Sequence, residues 1–192
     1  MKTLMHDYPD LERFGQRYKR IDYDYDLVSG KVNMLSYNRS FPDQFYQRYS
    51  YDADNRIVKA ESSSDGYIWR RDAGYEYYDH GPLARLSLGD LRVQGVDYAY
   101  TIQGWLKAVN GDILDTALDM GGDGRRGRIH PRDVFAMTLD YFNGDYDPVG
   151  GVQVAHLPDP VRNLYNGNIA GMNTSLSPFE SLGKAYVYDQ LN

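Results

Sequence analysis

The chain has 192 residues, of which 42% are hydrophobic and 25% charged, with a formal net charge of -6. That length suits one domain or a piece of a larger one, and the balance excludes a disordered chain. The acidic balance, without a basic stripe, argues against a nucleic-acid partner. No apolar run reaches the roughly 18 residues of a membrane span. The absence of cysteine removes disulfides, thiolate nucleophiles and cysteine metal ligands together.

Tyrosine occurs 19 times, as often as glycine, and aspartate far outnumbers glutamate, which stands only at Glu12, Glu61, Glu76 and Glu180. Tyrosine favours strands, and glycine and aspartate favour tight turns, so many short strands are expected rather than a helical bundle. Residues 1–14 show no charged-then-apolar leader, so no signal peptide is read there. After them a pattern begins to repeat. Tyr23 and Tyr25 precede Asp26 and Gly30; Tyr49 and Tyr51 precede Asp52 and Asn55. Tyr75 and Tyr77 precede Asp79 and Gly81; Tyr98 and Tyr100 precede Gly104; Tyr186 and Tyr188 precede Asp189. The second tyrosines stand at 25, 51, 77 and 100, and again at 188.

Each unit has a physical reading. Tyrosines two apart share one face of a strand. The following aspartate accepts backbone N–H groups of a turn, and the Gly or Asn beyond it tolerates positive φ. A second strand follows, as in Lys31–Met34 or Arg56–Lys59. A lone hairpin is marginal in water, so the units are expected to pair edge to edge. One all-β domain over residues 1–192 is expected, with units near 18–37, 45–61, 73–88, 93–110 and 184–192 and a loop-rich insertion over 111–166. The last unit follows the start of the second, from Tyr51 to Asn55, and stops at Asn192. The chain is therefore expected to be a fragment, with open sheet edges that offer self-association.

These Tyr-Asp units followed by Gly or by Asn55-Arg56-Ile57 resemble the YD repeats of the Rhs family. The stretch from Val93 to Lys107 resembles one common in large Rhs proteins of the Bacteroidetes type. Tyr78–Arg85 and Leu164–Ile169 are similar to neighbouring segments, and the likeness runs from about Asp22 to Asn192. The resemblance implies antiparallel β-hairpin repeats forming a curved sheet, an arc of a shell like those of teneurins and Tc toxins. Its partners would be the remaining repeats of the parent shell and an enclosed C-terminal effector domain, as in polymorphic toxins. The parent would be secreted or on the cell surface.

The insertion reads differently. A short helix is expected within Gly111–Asp119, then a polar loop over Gly121–Arg128 with a small cluster at Arg125, Arg126 and Arg128. Phe135, Met137, Leu139 and Tyr141 alternate with Ala136, Thr138 and Asp140, which predicts a strand, although Val134, Met137 and Tyr141 also suit a helix face. Leu157–Pro160 reads as a connector and Gly167–Met172 as another short strand. Asp147–Gly150 is similar to the Asp-Pro-x-Gly of the Rhs core, but the rest of that core is missing, so its self-cleavage is not carried over. Asp119, Asp123 and Gly124 are spaced like part of a calcium loop of about twelve residues. Gly121 and His130 stand where acidic ligands belong, so a solvated loop with no metal or cofactor is expected.

No catalytic residue is expected. His6, His80, His130 and His156 lack zinc-site spacing, and neither a nucleophile elbow nor a phosphate-binding glycine loop is present. The aspartates are expected to lie spread through turns rather than to converge on a pocket. Trp69 and Trp105 are the candidates for stacking on a ligand, which would make the chain a surface module for glycan or protein.

Overall fold

The computed structural model describes residues 2–147 and 163–189. The described residues form twelve strands and one short 3-10 helix, Pro9–Phe14. The strands are β1 (Lys2–Asp7), β2 (Tyr18–Tyr25), β3 (Val32–Tyr37), β4 (Phe45–Tyr51), β5 (Ile57–Ser63) and β6 (Arg70–Tyr77). They continue as β7 (Leu83–Leu88), β8 (Gln94–Tyr100), β9 (Leu106–Val109), β10 (Phe135–Asp140), β11 (Gly171–Leu176) and β12 (Leu182–Ala185). The all-β reading holds, and the reason is the one that composition implied.

Two compact units are formed, Met1–Tyr75 with Leu88–Leu91, and Glu76–Ser87 with Arg92–Asn192. In the first, β1 to β5 each pair antiparallel with the next strand in the chain. In the second, β8 to β11 do the same. Among the described residues no helix is long and apolar enough to cross a membrane.

The turn after each of the first four tyrosine pairs is closed by a backbone bond, the first turn being one residue longer than the other three. The N–H of Asp26 donates to Lys31 O, Asp52 to Arg56 O, Tyr78 to Pro82 O and Thr101 to Trp105 O, all at 2.8–3.0 Å. Asp26 Oδ1 accepts the N–H groups of Val28 and Ser29, and Asp52 Oδ1 those of Asp54 and Arg56. The backbone donors, with Ser29 foremost for Asp26 and Arg56 for Asp52, hold both carboxyls below the usual carboxylate range. Thr101 takes the same place in the fourth turn, its Oγ1 accepting Trp105 N–H at 3.2 Å. Asn55, at φ 62°, occupies the left-handed corner that Gly104 fills at φ 83°, a conformation open to few residue types besides Gly and Asn.

Tyrosine hydroxyls at or just past strand ends donate to backbone carbonyls across the repeat. Tyr51 Oη donates to Val32 O at 2.8 Å, Tyr78 Oη to Tyr98 O at 2.7 Å and Tyr188 Oη to Ile169 O at 2.9 Å. A half-buried ring thus packs its body on the sheet and satisfies its polar tip on backbone. The hydrophobic core is thin, consisting of Tyr46 and Ala73 in one unit and Ala99, Ala108, Ala136, Leu139, Tyr141 and Ala170 in the other.

Several expectations are corrected. Residues 111–119 form turns, such as Leu118 N–H to Asp115 O, and not a helix; Asp115 Oδ1 accepts Ala117 N–H, a local bond that competes with helical bonding, and Asp112 is held by the distant Asn173. Of the two readings of 134–141, the strand is correct, and its most buried face carries Ala136, Thr138 and Asp140. The strand expected at Gly167–Met172 begins only at Gly171, since Asn166 and Gly167 lie in a turn that caps Asn168 N–H. Tyr186, Tyr188 and Asp189 lie past β12 rather than in a strand. β1 carries no repeat signal and is exposed throughout, yet pairs with β2 over all six residues. The connector at Leu157–Pro160, His156, residues 148–150 of the core-like motif and Gln190–Asn192 lie outside the described residues.

Candidate functional site

The eight tyrosines of the first four pairs all lie in strands and all are half-buried: Tyr23 and Tyr25 in β2, Tyr49 and Tyr51 in β4, Tyr75 and Tyr77 in β6, Tyr98 and Tyr100 in β8. Asp26, Gly30, Asp52, Asn55, Gly81 and Gly104 lie in the turns. Asp79 sits inside the third turn, because Tyr78 occupies its first position. Trp105 packs on Tyr141 with ring centroids 4.9 Å apart, and a Cβ on Gly167 would lie 3.2 Å from its ring. Trp69 carries the Arg48 guanidinium 4.2 Å from its centroid, donates to Gly66 O at 3.2 Å and lines a groove of about 450 Å³ with Tyr46 and Tyr67.

The chemically unusual place is elsewhere, in the second unit. Arg85 of β7 donates through Nη1 to both oxygens of Asp97 of β8, at 2.7 and 2.6 Å. Its Nη2 reaches Asp123 Oδ1 at 2.5 Å. Asp119 Oδ1 accepts the N–H of Asp123 at 2.5 Å, and Gln94 Nε2 donates to Asp133 Oδ1. His130 meets Ser87 Oγ through Nε2 at 2.9 Å, with Nδ1 3.8 Å from Asp123 Oδ1. Asp97, Asp123 and Asp133 are buried. Among the described residues, Asp97, Asp119 and Asp123 are the carboxylate group whose oxygens lie close enough, within 4.8 Å, to share an ion.

Local sequence explains how the cluster assembles. Gly95 and Gly121 leave room that side chains would fill, since a Cβ at either would run into the Arg85 guanidinium and an aspartate carboxylate. The loop is held in shape by its own basic residues. Arg125 donates to the carbonyls of Thr116, Ala117 and Asp119, and Arg132 to that of Leu114. Asp97 is anchored through its N–H to Asn110 Oδ1 at 2.7 Å, and Asn110 in turn donates to Phe135 O. The expectation that aspartates would stay dispersed in turns fails here. Asp97 lies in a strand, and the loop folds back to bring Asp119, Asp123 and Asp133 onto it. Only the spacing of Asp119 and Asp123 hinted at this.

The electrostatics follow from burial. Burial raises the Asp97 carboxyl to about 6, against the pull of Arg85. Burial, helped by hydrogen bonding to Asp119 and by repulsion from Asp119, Asp123 and Asp97, raises Asp133 to about 8. Burial and the Arg85 charge lower His130, which keeps it neutral near pH 7. Unfolded aspartates titrate near about 3.9, so the folded chain binds the extra protons above that pH, and stability falls as pH rises through both folded values. In metal-free buffer the melting temperature is therefore expected to drop between pH 5 and 9. Asp133→Asn is expected to flatten the upper part of that slope, and an unchanged slope in the variant removes Asp133 as its source.

A second buried ion cluster lies nearby in the same unit. Lys107 of β9 reaches Asp140 Oδ1 at 2.5 Å and Asp145 Oδ1 at 2.8 Å, and Asp145 Oδ2 accepts the N–H of Tyr141 at 2.9 Å.

No family model matches the chain, and no match to a curated protein was found.

Proposed function

We propose that the chain is a non-catalytic structural segment of an Rhs/YD-repeat shell, one that encapsulates or displays a C-terminal effector of a secreted or surface protein. The observation that carries this reading is the recurrence of a turn closed by a backbone bond at Asp26, Asp52, Tyr78 and Thr101, each between two strands and each following a tyrosine pair. A repeated element made of half-buried rings and backbone bonds fits a wall better than a localised site, since a binding site has no need of repetition. Nearly complete exposure of Leu27 and Val28 at a hairpin tip, at 98% and 97%, agrees with apolar surface meant for a neighbour in a larger assembly. A glycan-binding surface draws less support. Tyr141 and Gly167 pack against Trp105, and Arg48 stacks on Trp69.

Electron microscopy of the protein as its own gene encodes it tests this function. A hollow β-walled particle with enclosed density is expected. A particle without an interior, or one that saturably binds glycans through Trp69, would overturn the containment reading.

A further inference from the structure

The buried carboxylate cluster of the second unit has no role in a wall of hairpins. Asp97 and Asp123 share Arg85, and Arg132 lines the cavity beside Asp119, Asp123 and Asp133. Burying a carboxylate without a counter-charge is costly, and each buried carboxylate oxygen calls for a donor or a cation. Asp123 is 1% exposed and Asp133 is 5% exposed, yet Oδ2 of each is buried and meets no donor group, the carboxylate of Asp119 being the neighbour of Asp133. Both residues, together with Asp119, line a small cavity of about 10 Å³. That is room for roughly one water-sized sphere.

We propose that Asp119, Asp123 and Asp133, with Asp97 completing the oxygen cluster, bind one calcium ion that fastens the loop over residues 111–134 onto β8. Three observations select the ion. All four donors are hard carboxylate oxygens, and His130 is engaged with Ser87, so soft or nitrogen-preferring metals have little to hold. Calcium–oxygen distances of about 2.3–2.6 Å place ligands on opposite sides of the ion up to about 5 Å apart. The oxygens of Asp97, Asp119 and Asp123 lie within 4.8 Å of one another, and a cage of several carboxylates suits calcium, whereas magnesium keeps several waters and is held by one or two carboxylates. The two acidic positions missing from a contiguous calcium loop, where Gly121 and His130 stand, are thereby supplied in space by Asp97 from a strand and Asp133 from beyond the loop. The cation adds two positive charges to four carboxylates whose neighbouring cations are Arg85 and Arg132.

A buried water donating to Asp123 Oδ2 and Asp133 Oδ2 is the competing occupant, and the site is independent of whether the parent is a shell. The test uses the whole chain, stripped with EDTA and exchanged into buffer, titrated calorimetrically with calcium chloride and then magnesium chloride, with melting followed in parallel. One calcium per chain and a rise in melting temperature are expected. Asp133→Asn is expected to weaken calcium binding at least tenfold, as is Asp119→Asn, which serves should the first variant fail to fold. Asp79→Asn, in an exposed turn, is expected to bind as the parent chain does. Absence of calcium heat at millimolar concentration, tighter binding of magnesium than of calcium, or undiminished affinity in both cluster variants would overturn the proposal.

Discussion

Lys107→Met is expected to lower the unfolding free energy by about 3–5 kcal/mol, the range for leaving buried charges without their partner. Lys107 is 3% exposed, and its ammonium lies between Asp140 and Asp145, which are themselves buried. Methionine fills most of the same volume, so the loss is electrostatic rather than a cavity. Two neighbouring carboxylates would then be buried with no cation, on a strand and a turn that hold the centre of the second unit. Single domains are stable by only about 5–15 kcal/mol, so a large share of the stability is at stake. Urea unfolding followed by the fluorescence of Trp105, which stacks on Tyr141 beside this cluster, reads the effect. Adding Asp140→Asn and Asp145→Asn to the variant is expected to restore more than half of the loss. If Lys107→Met unfolds within about 1 kcal/mol of the parent chain, the cluster contributes no more than an exposed ion pair does.

The second large effect is expected at Arg85. Arg85→Met removes the shared partner of Asp97 and Asp123, and a loss of about 3–5 kcal/mol in metal-free buffer is expected from the same reasoning. Arg85→Lys is expected to recover less than half. An ammonium cannot place two N–H groups on Asp97 and a third on Asp123 from one planar fork. Denaturant midpoints of the two variants compared at equal slope check this, and full recovery in Arg85→Lys would show that charge alone, without geometry, suffices there. The Coulomb attraction in both clusters is strong only because the surroundings are dry. Exposed pairs elsewhere, such as Arg17 with Asp7, carry no comparable expectation.

The repeat was legible because its causes are local. Two rings on one strand face, an aspartate that accepts turn N–H groups and a residue tolerant of positive φ all act within a few positions of one another, so their spacing is written directly in the chain. The third and fourth turns show how far that goes. Tyr78 and Thr101 take the place of the aspartate because the backbone bond across the turn needs no side chain. The fifth tyrosine pair fell outside a strand because β11 begins only at Gly171, opposite Ala185, although Tyr186 N–H still donates to Ala170 O. β1 was invisible because its pairing with β2 rests on backbone bonds, and its side chains are exposed on both faces.

The amino-acid sequence by itself determined the all-β class, the antiparallel neighbour-to-neighbour pairing and the places where the chain turns, because strand alternation and turn chemistry are short-range. Only the tertiary structure decided that Arg85, Asp97, Asp119, Asp123 and Asp133 meet, and that Lys107 lies between Asp140 and Asp145. Those meetings join residues up to 38 positions apart, as in the bond between Arg85 and Asp123, and nothing in an aspartate's neighbours tells whether it will stay solvated in a turn or be carried into a dry interior. Burial is a property of what packs above a residue, and here it raises the carboxyls of Asp97 and Asp133 well above the ordinary aspartate range.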